Sequence, residues 1–181
     1  MRPRHFRQET AMAEFVSLLD ETIEGWWDVR NGVIAEVNNI PASRFDFRPV
    51  PQVRNVREMV QHILEIAMMM TAELTRPDTN LRRAPFPQLV RRYAGPAYRA
   101  RTKAALVALL RSQMKDAERK FRAAGELALF QFHTRFDGKQ GTKYAWWHHG
   151  IAQEEYHRGQ LATYQRLMGL VPALTQRIHG G

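Results

Sequence analysis

Four stretches of this chain repeat apolar residues at spacings of three and four, and segments rich in proline or glycine separate them. That pattern points to long amphipathic helices packed on one another. The first stretch runs from about Glu9 to Asn39, with Phe15, Leu18, Leu19, Ile23 and Trp26 on its inner side and possible bends at Gly25 and Gly32. The run "NIPASRFDFRPVP" stops it, because proline removes a backbone donor and drives the preceding residue out of helix. The second stretch, about Asn55 to Thr75, opens on a capping-box pattern with Asn55 as N-cap and Glu58 three residues later. Its stripe is Met59, Ile63, Ile66 and Met70. A methionine stripe of this kind is ordinary core filler.

The third stretch runs from near Pro96 to about Ala123, with Leu106, Leu109, Leu110 and Met114 inward; the fourth runs from about Thr142 to Met168. Gly169 and Pro172 close the fourth in the usual C-terminal order. Long connections cover residues 40–54, 76–95 and 125–141, the last with short extended pieces around a turn at Asp137–Gly138. The expected fold is all-α, a four-helix bundle with long crossover connections, forming one domain over residues 1–181. Hydrophobic residues make up 44%, enough for a core of its own.

Cysteine is absent, which excludes disulfides, cysteine–zinc sites and an internal thiol nucleophile. The N-terminal run "MRPRHFRQETAMAEF" is basic but has no apolar signal core, and no apolar run approaches the roughly 20 residues of a membrane span. The expectation is a soluble cytoplasmic protein without a membrane partner. Net charge is +9, concentrated between Arg76 and Arg122, where 13 Lys/Arg stand against 3 Asp/Glu. Such a segment attracts anions. Its few aromatics and lack of a nucleic-acid motif give no reason to expect specific nucleic-acid binding; a solvated, arginine-rich helix face accounts for it.

Chemistry is suggested by "WWHHGIAQEEYHRGQL", residues 146–161, which carries three of seven histidines. At about 100° per residue, Trp146, Gly150, Leu161, Tyr164 and Met168 define the apolar face of this helix. His157 falls near the middle of that face, His148 points to solvent, and His149 sits at the margin. His149 and His157 stand about 12 Å apart along the axis, too far for one ion. A buried imidazole needs partners, and Gln153 and Glu154 lie one turn earlier. A hydrogen-bonded core histidine accounts for His157 from this helix alone. Glu154-x-x-His157 is also half of a di-metal carboxylate motif, but no second copy occurs. His62, beside the stripe of the second helix, makes a two-histidine site in the bundle core conceivable.

The segments Phe47–Ile63 ("FRPVPQVRNVREMVQHI") and Trp146–Pro172 ("WWHHGIAQEEYHRGQLATYQRLMGLVP") resemble the DinB-like family, the DNA-damage-inducible and YfiT-like four-helix bundle proteins. Helix count and connection lengths agree across nearly the whole chain. The resemblance implies three histidines around one divalent metal, zinc or nickel foremost, one from the second helix and two from a His-x-x-x-His motif on the fourth. Matched by position these are His62, Gln153 and His157. Glutamine at 153 departs from the pattern, and an amide oxygen is a weaker ligand than imidazole. Glu154 could replace it after a slight helix rotation; otherwise metal binding is lost.

Two functions compete. The resemblance implies a metal-dependent transferase or isomerase that uses an external low-molecular-weight thiol, with the basic segment holding an anionic or thiol-containing ligand; a related reading is a hydrolase in which the metal activates water and Glu154 is the catalytic base. The alternative is a non-catalytic bundle with a degenerate, metal-free site, dimerising or holding a small ligand in a pocket lined by Met59, Met69 and Trp146. A homodimer is expected in either case.

Overall fold

The computed structural model of the chain describes residues 17–78 and 80–179. The expected helical start at Glu9, with Phe15, lies outside these. The first described helix, α1 (Leu18–Asn39), begins at Ser17, whose side chain accepts from the backbone of Asp20. A short 3-10 turn at Ala42–Arg44 follows. α2 (Val56–Leu74) opens on the anticipated capping box: Asn55 Oδ1 accepts from Glu58 N at 2.8 Å, and Glu58 Oε2 accepts from Asn55 N at 2.9 Å.

The segment expected as a bare connection holds α3 (Phe86–Tyr93), started by proline in its first turn. The single helix expected from Pro96 is instead two. α4 (Gly95–Arg99) ends at Ala100, which turns extended at ψ 99°. Thr102 then caps a new start for α5 (Lys103–Ala124), accepting from Ala105 N. After α6 (Glu126–Leu129) come the short antiparallel strands β1 (Phe132–Thr134) and β2 (Gln140–Thr142), joined by the turn expected at Asp137–Gly138. Gly138 adopts φ +85° there, the left-handed conformation that side chains disfavour. α7 (Lys143–Leu167) and α8 (Ala173–His179) complete the chain.

The four long helices form the bundle. α5 and α7 each pack against both α1 and α2, so α1 faces α2, and α5 faces α7, across the diagonals. That order requires residues 40–55 and 125–142 to cross the bundle ends, the long crossovers anticipated from the sequence. Met59, Ile63, Leu110, Leu161 and Met168 are buried as expected. On α7 the residue driven into the core is Trp147, not Trp146. Trp147 stacks on Phe121 at 3.9 Å between centroids, with Trp26 edge-on to both. No helix among the described residues is long and apolar enough to cross a membrane.

The core consists of two apolar clusters, one around Val33, Val60, Leu110 and Leu161, the other around Trp26, Met70, Phe121 and Trp147. A buried polar layer contributes one side chain or more from every long helix. Arg30 of α1 is fully buried and grips Glu154 of α7 with Nε at 2.5 Å and Nη2 at 2.9 Å. Its Nη1 donates to Leu110 O and Gln113 Oε1 of α5. Gln113 in turn donates to Thr71 of α2, and Trp26 Nε1 donates to Glu154 at 3.0 Å. Every charge in the layer has a partner, as burial demands.

Candidate functional site

Two helices bring the site together. The start of α2 is fastened from outside: Arg48 donates to both oxygens of Glu58, and Tyr164 Oη of α7 donates to Arg54 O. His62 lies two turns further along α2. α7 comes close to α2 near Gly150, where an added Cβ would meet Met70 Cε at 3.0 Å. That approach sets Gln153 and His157 opposite His62. The two imidazoles meet edge to face, with centroids 4.9 Å apart and planes at 79°. Both expected histidines and Gln153 are therefore one cluster, although 91 positions separate Gln153 from His62.

Hydrogen bonds set the imidazole tautomers. His62 Nδ1 lies 2.5 Å from Glu65 Oε1, and His157 Nδ1 lies 2.7 Å from Gln160 Oε1. Both partners are acceptors, so each Nδ1 carries the proton and each Nε2 keeps its lone pair. The two Nε2 atoms converge on the Gln153 amide nitrogen, at 3.1 Å for His62 and 3.4 Å for His157. The two amide hydrogens thus cap two lone pairs.

Behind His62 the chain of contacts continues, since Tyr98 Oη donates to Glu65 Oε2 at 2.7 Å. Burial works against the charge on Glu65, but the hydrogen bonds from His62 and Tyr98 outweigh it and hold its pKa below the usual carboxylate value. Burial, then the bond to Glu65, pushes the Tyr98 hydroxyl up to about 12. His157 is driven below the ordinary histidine value by burial; its bond to Gln160 opposes this, and the charge of Arg54 adds to it. A neutral His157 is the form that can bind a metal.

The donor set fits a divalent ion. Two imidazoles aim Nε2 at one place, and turning the Gln153 amide by 180° presents its oxygen there instead. Nitrogen and carbonyl donors of this kind suit zinc or nickel. Among the described residues no group of three His, Cys, Asp or Glu is close enough to hold a metal, so Gln153 decides whether the set is two ligands or three.

Three expectations need correction. Glu154 is not turned to the histidines: Arg30 and Trp26 occupy its oxygens inside the core, which leaves no free carboxylate to act as base or to replace Gln153. Trp146 does not line the site; it packs on His149 and Phe136. None of the basic residues between 76 and 122 borders the cleft at His157. Many of them are engaged elsewhere, Arg83 with Glu73, Arg122 with Asp20 and Lys120 with Asp116. The cleft itself, about 530 Å³, is walled by Arg48, Arg54, Met59, Tyr156, Gln160 and Tyr164. His148 is exposed, as its helical position implies.

Glu65 and Gln160 were missed from sequence. Each stands three residues after its histidine, and this repeated His-x-x-acceptor spacing is the signal that marks them.

A family model, the DinB superfamily, matches residues 28–162. That span includes His62, Gln153 and His157. Among solved structures, a DinB-like protein from Bacillus subtilis aligns with TM-score 0.63 at 19% identity, over 82% of this chain and 92% of that one. A protein assigned to the DinB family from Exiguobacterium sibiricum aligns with TM-score 0.61 at 19% identity, over 84% of this chain and 93% of that one. At such identity these likenesses speak for the fold. No curated protein matches the sequence significantly.

Proposed function

Because this chain belongs to the DinB superfamily, we propose that it is a metal-dependent transferase or hydrolase whose ion is held by His62, His157 and the side-chain oxygen of Gln153. The observation that supports this reading is the convergence of His62 Nε2 and His157 Nε2 on the Gln153 amide. When bound, a divalent ion would lower the pKa of a water or thiol at its open side. With no cysteine in the chain, that thiol is a small molecule supplied from outside.

The chain's own residues do the rest. Glu65 and Gln160 hold the imidazoles in the tautomer that leaves Nε2 free, as metal-binding histidines require. Tyr98 keeps the Glu65 carboxylate in place. The cleft beside His157 admits a small molecule to the open side. Zinc titrated by calorimetry into protein purified without a metal-affinity tag tests the proposal. The parent should bind one equivalent and His157→Ala none; equal binding by both would move the ion elsewhere and end this reading.

A second reading has one observation in its favour. The Gln153 amide already satisfies both lone pairs, so the cluster is complete without a metal. The protein would then be a non-catalytic bundle that holds a small ligand in the same cleft. Zinc binding too weak to survive dialysis in the parent would favour it.

A further inference from the structure

The cleft beside His157 has an uneven distribution of charge. Of its two arginines, Arg48 is spent: both oxygens of Glu58 take its Nη2, and its Nη1 donates to Val53 O. Arg54 makes no ion pair within 4 Å among the described residues, while eight other lysines and arginines of the chain do. Its backbone is nevertheless pinned, because Tyr164 Oη donates to Arg54 O at 2.9 Å. The side chain therefore projects from a fixed point on the cleft wall. Its charge is felt at His157, Tyr164 and Glu65, which places it within electrostatic reach of the histidine centre.

The other walls are of a different kind. Tyr156 is 64% exposed and meets the His157 ring at 5.2 Å and 68°. Met59 and Val53 add apolar surface, and the volume of about 530 Å³ suits a small molecule. One cation outside any ion pair among the described residues matches one negative charge. Glu58, also in the wall, disfavours a dianion. A guanidinium presents paired N–H groups that match the two oxygens of a carboxylate.

We propose that this cleft takes a small monocarboxylate, with its carboxylate on the Arg54 guanidinium and its apolar body against Tyr156 and Met59. The proposal rests on the reading of His62 and His157 as the reactive end of the same cleft. It makes Arg54 the residue that selects for acidic ligands, with the far end of the ligand carried toward Nε2 of His157.

The test uses the full chain and two probes of equal shape, 3-phenylpropionate and its neutral amide, with the imidazole proton resonances of His157 and His62 as readout. In the parent the acid should shift His157 saturably and bind at least about tenfold more tightly than the amide, as loss of a charged hydrogen-bonded pair implies. Arg54→Gln should erase that preference and leave the amide unchanged. Arg54→Lys, which keeps the charge but loses the fork, should fall between. Equal binding of acid and amide by the parent, or acid binding unaltered in Arg54→Gln, overturns the proposal. Zinc added to the same samples reads the metal centre separately. Zinc that leaves both histidines unmoved while the acid still binds defeats the metal reading alone; zinc that moves them while the acid does not bind defeats this one alone.

Discussion

Gln153 Nε2 lies 3.1 Å from His62 Nε2, so a neutral amide stands where the DinB-like pattern, as it appears in the sequence, expects an imidazole. Gln153→His should convert this hydrogen-bonded contact into a third nitrogen ligand, one turn before His157. Zinc affinity should rise at least about tenfold, since imidazole is the better ligand for borderline ions. At a hundredfold excess over its dissociation constant, zinc should then stabilise the variant by about 2.7 kcal/mol. Thermal melts of parent and variant with and without zinc check this; an unchanged zinc-dependent shift counts against Gln153 as a site residue.

Glu65→Gln should weaken metal binding while leaving the fold in place. The Glu65 carboxylate accepts from His62 Nδ1 and from Tyr98, and partners of this type typically govern about 10–100-fold in affinity. Tyr98→Phe, one step further out, should cost less. Zinc titrations of both variants decide; a larger loss in Tyr98→Phe than in Glu65→Gln contradicts this ordering.

Arg30→Met should destabilise the protein by about 3–5 kcal/mol, because it leaves the Glu154 carboxylate buried without its counter-charge. Replacing both partners with apolar residues of similar volume should recover much of the loss. Urea denaturation of the single and double variants measures the difference. Additive losses would mean that the pair is not coupled.

Stability should fall as pH drops below about 6.5, the ordinary histidine value. His133 is buried, and neither of its ring nitrogens has a hydrogen-bond partner. Burial, then the charges of Lys143 and Arg135, holds its pKa below the ordinary value. The unfolded chain therefore takes up this proton first, and acid favours unfolding until the folded form is protonated too. His157, lowered mainly by burial, adds in the same direction. His133→Leu should flatten the urea midpoint between pH 7 and 5; an unchanged slope would assign the effect to other groups.

Much of this architecture is legible in the sequence because apolar spacing reports which side of a helix is wet. It finds Met59, Ile63, Leu110 and Leu161, and it sets His157 inward. It misplaces Trp146 and Trp147, since two adjacent tryptophans differ by only about 100° around the axis and both are apolar. The break between α4 and α5 is hidden because Ala100 and Arg101 are acceptable in helix; only the Thr102 cap marks the restart. His62 and Gln153 could be paired only through the family pattern, because no local rule connects α2 to α7. Glu154 was misread for the opposite reason. Its spacing from His157 looks functional, but its partner Arg30 sits 124 positions away, beyond the reach of any local pattern.

The polar layer limits how the site can adjust. Glu154 and His157 ride on the same helix one turn apart, the first gripped by Arg30 and the second aimed at His62. Any roll of α7 that drew an imidazole closer to its ligand would drag the carboxylate out of the guanidinium fork. The helix is therefore a locked shaft, and adaptation to a bound species falls to side-chain torsions alone. Gln153, whose amide can turn over without moving the backbone, can switch between donor and acceptor at the point where both Nε2 atoms converge.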